Sequence, residues 1–327
     1  MTQTRAASRP ITVGVTTLLL ALVTALLPGR AAAASLQEVT GFGNNPGALR
    51  MFRYVPDGLP TGRPVVVALH GCTQNASGYG TGSGWTELAD RWGFSVVLPQ
   101  QQSANNLSSC FNWFQNGDIA RGQGEAASVS QMVDRQLADV SGDASRVYVT
   151  GLSAGGAMTS VMLAAYPERF AAGGIVAGLP YGCAQAAGSP YVCMYVGATQ
   201  TPRRWGDRVR AARPGHTGPW PTLIAFHGTA DHTVKPVNMT DLTRQWTDVH
   251  GTDQTADATD TVAGYPHQVF RDSGGRTVVE TYSLTGMGHG QPVDPGTGSE
   301  QCGSAGAHLL DVNLCAAYRM GRAWGLG

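Results

Sequence analysis

The chain has 327 residues, of which 42% are hydrophobic and 13% charged, and its 22 basic and 22 acidic side chains balance formally. That length allows one large α/β domain with a sizeable core. No basic tract or basic-aromatic alternation occurs, which argues against nucleic acid as a partner.

Residues 1–34 stand apart in composition. Arg5 and Arg9 give a basic start, residues 11–27 are almost wholly apolar, and Ala31, Ala32, Ala33 and Ala34 supply small residues for a peptidase. The stretch reads as a secretory signal cleaved near Ser35, leaving residues 35–327 as a single domain. An uncleaved anchor is the rival reading, but the apolar run is short for a bilayer span and Pro28-Gly29 breaks it. Removing a leader with three arginines and no acid shifts the formal balance from +0 to −3. The product is expected to be secreted, extracellular, free of the membrane and monomeric.

Six cysteines, Cys72, Cys110, Cys183, Cys193, Cys302 and Cys315, form an even set, which in an exported chain points to disulfides. Short local loops favour Cys183 with Cys193 and Cys302 with Cys315, leaving Cys72 for Cys110, though spacing alone leaves other pairings open. No Cys-x-x-Cys occurs and no cysteine sits at ligand spacing from a histidine, so no metal is expected.

In chain order, residues 48–56 alternate like a half-exposed strand, and residues 63–69 form a continuous apolar run of the kind buried on both faces. Residues 85–92 have helical spacing, and residues 94–98 read as a second buried strand stopped by Pro99. Residues 100–124 are a long polar loop carrying Phe111, Trp113 and Phe114. A helix over 125–140 places Val129, Met132, Val133 and Leu137 on one face. A strand over 146–150 and a helix over 154–165 flank a glycine-rich turn, and residues 170–177 make a further strand. Residues 179–218, punctuated by glycine and cysteine, read as an insertion over the carboxyl edge of the sheet. A strand over 222–226 leads into a helix over 237–249, and residues 251–264 read as a surface loop. Residues 268–270 and 278–284 read as a hairpin across Ser273-Gly274-Gly275, and a helix over 310–324 closes the chain. Buried strands alternating with helices predict a doubly wound, mostly parallel sheet with helices on both faces.

The turn between the strand at 146–150 and its helix carries Gly151-x-Ser153-x-Gly155. Glycine on either side of a serine at a strand-to-helix junction is the pattern of a nucleophile elbow, in which strained backbone holds the hydroxyl above the sheet. A serine hydroxyl is weakly acidic and needs a base to take its proton, and that base needs a carboxylate to fix its tautomer. Asp231 and His289 each follow a predicted strand, and the order Ser153, Asp231, His289 is that of an α/β-hydrolase. Asp231 could instead cap a turn or helix, in which case Asp248 or Asp260 would serve. His70 and His227 also end strands and read as buried loop-shaping residues, whereas His267 and His308 read as surface or packing positions. Backbone N–H groups of Ala154 and of Cys72, after the early strand, are the expected oxyanion donors.

These residues lie in motifs spread over nearly the whole chain: Leu69-His-Gly-Cys-Thr-Gln74, Cys110-Phe-Asn-Trp-Phe114, Gly124-Glu125, Ala177-Gly-Leu-Pro-Tyr181, His227-Gly-Thr-Ala-Asp231 and Met287-Gly-His-Gly290. With the elbow they resemble the secreted esterases of the poly(3-hydroxybutyrate) depolymerase type, an α/β-hydrolase branch that also holds feruloyl and acetylxylan esterases. The resemblance implies a Ser153, Asp231, His289 triad and an oxyanion hole at the backbone of Cys72 and Ala154. No cofactor is expected. Phe111 stands where the family usually has tryptophan, and Trp113 is kept. Such depolymerases commonly add a linker and a substrate-binding domain, and neither is read here after the catalytic domain.

The expected activity is that of a serine carboxylesterase on short-chain polyhydroxyalkanoate or its oligomers, with feruloyl or acetylxylan esterase as the alternative, because the triad fixes the reaction and the loops fix the acyl group. Trp113 and Trp220 are the candidates for substrate contact. A non-catalytic polymer-binding protein on the same scaffold has no need of all three triad residues, and a metal-dependent hydrolase lacks a ligand set.

Overall fold

The computed structural model describes residues 1–10 and 34–327. Most of the expected signal, including its apolar run, lies outside the described residues. The chain divides into Met1–Ala32 and Ala33–Gly327, and all secondary structure of the described residues belongs to the second unit.

A 10-stranded sheet organises that unit. Its strands are β1 (Gln37–Val39), β2 (Arg50–Tyr54), β3 (Val65–Leu69), β4 (Ser95–Gln100), β5 (Val147–Leu152), β6 (Ala172–Val176), β7 (Thr222–Gly228), β8 (Ala258–Val262), β9 (Tyr265–Arg271) and β10 (Thr277–Leu284). They lie in the order β1-β2-β4-β3-β5-β6-β7-β10-β9-β8. From β4 to β10 in that order neighbours are parallel, and antiparallel strands close both edges. This is the α/β-hydrolase sheet.

The central strand β3, Val-Val-Val-Ala-Leu, is buried throughout because both faces are covered. Val65, Val67 and Leu69 join one core with Val129, Met132 and Val161, whereas Val66 and Ala68 join another with Trp85, Leu88 and Met320. The period-2 alternation of the strand thus feeds two hydrophobic layers, one under each set of helices. Helix Ala154–Ala165 is buried on all sides, so it is built of small and apolar residues, with the hydroxyls of Thr159 and Ser160 donated to the Gly155 and Leu179 carbonyls.

Several elements differ from their sequence reading. β4 runs through Pro99, which pairs with Met51 of β2; the parallel pairing with β3 spans only Ser95 to Val97, so the ring falls beyond it. Residues 251–264 are not all loop: β8 is an exposed, polar edge strand whose turn to β9 uses Ala263 and Gly264, both at positive φ. Its Thr/Asp composition hid it. Residues 179–218 fold into helices Cys183–Ala187, Pro190–Val196 and Pro202–Ala212, the last burying Trp205 completely. The closing helix is only Ala316–Ala323, because Leu309–Asp311 forms a strand beside Gln291–Val293. Cys72 joins Cys110, Cys183 joins Cys193 and Cys302 joins Cys315.

The closing helix docks through Trp324. Its ring stacks on Tyr148 of β5 at 4.9 Å and on Trp85 at 5.7 Å, nearly parallel to both. Trp324→Ala should cost about 3–5 kcal/mol, the usual range for deleting a buried aromatic, read as a lower denaturant midpoint at unchanged slope. A shift equivalent to less than about 1 kcal/mol would mean that the stack does not hold the helix.

Candidate active site

Ser153 follows β5 and begins the buried helix, with φ 57° and ψ −117°. A Cβ at Gly151 would lie 2.4 Å from the Gly155 carbonyl, and one at Gly155 would lie 2.2 Å from the Leu69 carbonyl oxygen. No side chain can yield there, because the obstacles are backbone. The two glycines are therefore required by the close approach of helix, turn and β3. Strained non-glycine residues gather around this point: Thr73, Ser109, Ser153 and Ala177 all have positive φ.

The loops after β7 and β10 bring Asp231 and His289 together. Asp231 Oδ2 accepts from His289 Nδ1 at 2.7 Å, and Oδ1 accepts from the N–H groups of Thr233 and Val234 at 2.8 and 2.9 Å. Burial raises the pKa of this carboxyl, but hydrogen bonds from His227 and His289 and the N–H of Val234 outweigh it and hold it well below the usual carboxylate range. With Nδ1 engaged, His289 is left with Nε2 to exchange protons. Ser153 Oγ is not hydrogen-bonded to His289 in this conformation, and the catalytic roles expected from the sequence require that contact to close. Asp231 also caps its own turn, so the capping and pairing roles coexist in one side chain. The two substitute acids are engaged elsewhere, Asp248 with Arg210 and Asp260 with His267 at 2.8 Å.

His227 is buried and bonds the Val234 carbonyl through Nε2 at 2.8 Å, which shapes the Asp231 loop. His267 is a packing residue between β8 and β10, and His308 lies against the active-site loop, its Nδ1 3.3 Å from the His289 carbonyl oxygen. Nothing in the sequence around His308 marked that neighbour.

Ser153 opens into a cavity of about 480 Å³ lined by Cys72, Trp113, Phe114, Leu179, Tyr191 and Met194, among others. Trp113 is a wall of this cavity, packed edge-on against Phe114 at 5.6 Å. Trp220 is not. It lies with His216 in a separate hollow beside Ala144 and Ala171, at the amino ends of β5 and β6 and so at the other end of the sheet from Ser153. The loop containing Trp220 precedes β7, and a residue there faces the amino edge whatever its chemistry. Tyr191 and Met194, from the inserted helix Pro190–Val196, line the cavity instead.

Neither the Cys72 nor the Ala154 N–H has an acceptor among the described residues, although the neighbouring N–H groups of Gly71 and Thr73 do. The loop holding Cys72 is fixed from behind. Burial pushes the His70 pKa down to about 4, so the ring is neutral; Nδ1 donates to Gly71 O at 2.7 Å and Nε2 accepts from Gln101 N at 3.1 Å. Gln101 in turn donates to Cys110 O and to Glu125, whose other oxygen accepts from Asn112 N at 2.8 Å. The Cys72–Cys110 disulfide and the Thr73 N to Ser108 O bond tie the same two loops from the front. Glu125 is only 1% exposed. It was legible as part of a motif with Gly124, but its role as the root of this network was not.

A family profile described as "Esterase PHB depolymerase" matches residues 49–264. The chain is 53% identical over 292 residues to poly(3-hydroxyalkanoate) depolymerase C of Paucimonas lemoignei, across 89% of this chain and 70% of the relative. It is 37% identical over 278 residues to feruloyl esterase B of Thermothelomyces thermophilus, across 83% of this chain and 93% of that one. Among solved structures, an acetyl xylan esterase from Aspergillus awamori superposes with a TM-score of 0.71 at 32% identity, covering 78% of this chain and 94% of its own.

Burial pushes the Glu125 pKa up to about 8, helped by the charge of Asp118 and opposed by the hydrogen bonds from Asn112 and Gln101. A folded-state pKa above the unfolded value of about 4.3 means that the folded state holds its proton more tightly. The stabilisation is full below that unfolded value and is lost as pH rises through about 8. Wild-type stability should therefore fall between pH 5 and pH 9, by at most about 1.4 kcal/mol per pH unit from this group, and Glu125→Gln should flatten the slope. Denaturant midpoints across that range check it; parallel curves would show that Glu125 does not titrate on unfolding.

Proposed function

The chain belongs to the PHB-depolymerase family of esterases, and from that premise we propose that Ser153, His289 and Asp231 hydrolyse the ester bonds of short-chain poly(3-hydroxyalkanoate) or its oligomers. The observation that carries the assignment is the 2.7 Å bond between Asp231 and His289, with Val234 of the Asp231 turn lining the same cavity as the strained Ser153. The polyester is favoured by the 53% identity to a poly(3-hydroxyalkanoate) depolymerase, against lower identities to feruloyl and acetylxylan esterases.

In this reading Ser153 Oγ attacks the ester carbonyl carbon while His289 Nε2 takes the hydroxyl proton. The carbonyl oxygen becomes an oxyanion, held by the N–H groups of Cys72 and Ala154. His289 returns the proton to the departing alkoxide, leaving an acyl-Ser153 ester. Water then attacks, His289 takes its proton, and the hydroxy acid leaves as Ser153 regains a hydrogen. Asp231 stays ionised throughout and stabilises the imidazolium. Trp113, Phe114 and Leu179 give the acyl group an apolar seat. No cofactor enters these steps. We extend the same reading to the leader: residues 1–34 direct export, and the mature enzyme acts outside the cell as a monomeric catalytic domain.

Purified protein offered a poly(3-hydroxybutyrate) suspension, methyl ferulate, acetylated xylan and a nitrophenyl butyrate should release hydroxy acid from the first with kcat/KM for ferulate far lower. Ferulate or acetate release without clearing would move the substrate to plant cell-wall esters. Asp231→Asn should fold and lose about 10⁴ in kcat, and Ser153→Ala should lose at least that much. A Ser153→Ala protein of undiminished rate would overturn the triad.

A further inference from the structure

Apart from Met1, the exposed large hydrophobic side chains among the described residues are Leu107, Tyr191, Val192, Tyr195, Val196 and Val237. They are not scattered. Leu107, 97% exposed, sits between Asn106 and Ser108, which both line the Ser153 cavity, as Tyr191 does. Tyr191, Val192, Tyr195 and Val196 crown the helix Pro190–Val196, whose other side buries Cys193 and is stapled by the disulfide to Cys183. Val237 adjoins it at Gly197, where an added Cβ would lie 3.1 Å from its methyl group.

A surface helix ordinarily turns charged residues to water. Here residues 92–117 and 170–202, which carry both sides of the cavity entrance, contain no Asp, Glu, Lys, Arg or His. On the adjoining loop, beside the buried Asp231, His232 and Lys235 are paired with each other at 3.0 Å. The exposed apolar groups and the charge-free segments therefore coincide with the mouth of the site, the arrangement expected of an interaction surface.

We propose that this rim is an adsorption face for solid aliphatic polyester, with the catalytic domain itself seating on the polymer through Leu107 and the outer side of the helix Pro190–Val196. The proposal rests on the polyester reading above. A polymer whose ester lies in the cavity continues out of it, so whatever surrounds the entrance must meet the rest of the chain. Solid polyester presents methyl, methylene and ester groups without charge, and an uncharged apolar rim gains free energy by excluding water from that contact. A hydrated polysaccharide would be met by charged and amide side chains, of which the cavity lining holds only the amide of Asn106, and an anionic membrane by a cluster of basic residues, whereas Lys235 alone adjoins this rim.

The test separates adsorption from turnover by using the Ser153→Ala chain on poly(3-hydroxybutyrate) film, with and without Leu107→Ser, Tyr195→Ser and Val196→Ser together. The triple change should lower the bound fraction at least about tenfold, with little effect of salt. In the chain with Ser153 intact, it should slow film erosion by a similar factor while nitrophenyl butyrate hydrolysis stays within about twofold, which also shows that the fold is kept. Unchanged adsorption by the triple variant would overturn the proposal. So would equal binding of the parent to zwitterionic lipid vesicles or to xylan, or a parent dimer that the triple change converts to monomer. Adsorption lost with the triple change supports the face even if the intact chain releases no hydroxy acid, in which case only the substrate assignment falls.

Discussion

The backbone at Ser153 is the constraint on which the rest of the site depends. A serine at positive φ between a buried strand and a buried helix costs about 1–3 kcal/mol of strain, and it persists only where the surroundings allow no alternative. Those surroundings are main chain: Gly151 packs on Gly155, and Gly155 packs on the carbonyl groups of Leu69 and His70. The elbow, the end of β3 and the start of the loop bearing Cys72 are therefore one rigid junction. The strain at Ser153 and the placement of the Cys72 N–H are consequences of the same packing. The central strands supply the leverage, since their side chains feed both cores and leave the junction little room to relax.

Around that junction the supports differ in chemistry according to what they hold. The proposed base His289 and its carboxylate Asp231 are held by charge and hydrogen bonds, with Asp231 kept ionised by His227, His289 and the amides of its own turn. The loop with Cys72 is held by neutral groups instead: an uncharged His70, the amide of Gln101 and a buried Glu125 that favours its protonated form. A neutral scaffold leaves the space facing the proposed oxyanion donors free of competing charge, where a developing negative oxygen is stabilised most by fixed dipoles. The entrance continues the pattern outward, apolar and uncharged on both sides.

How much of this was legible followed from where each residue's constraint resides. Strands β3, β5 and β7 could be read because burial on both faces demands runs such as Val-Val-Val-Ala-Leu, and the glycines of the elbow because no other residue fits. Asp231 and His289, which the structure pairs at 2.7 Å, could be picked out from their place after strands. Features set by tertiary neighbours could not. β8 is polar because it lies at an exposed edge, Trp220 is aromatic yet sits at the amino end of the sheet, and His308 meets His289 only through the pairing of Gln291–Val293 with Leu309–Asp311. The inserted helix Pro190–Val196 carries proline and cysteine and is flanked by Gly188 and Gly197, punctuation that reads as irregular, and the disulfide to Cys183 staples so short and apolar a helix at the cavity mouth.

The central claim is that Ser153 attacks while the Cys72 and Ala154 amides receive the oxyanion, and a crystal structure of the enzyme inactivated by an alkyl phosphonate ester tests it most directly. The expected result is phosphorus bonded to Ser153 Oγ, with the phosphonyl oxygen about 2.7–3.1 Å from both amide nitrogens and His289 Nε2 within hydrogen-bond reach. Phosphonate on another residue, or an oxygen turned to solvent away from Cys72 and Ala154, would contradict it.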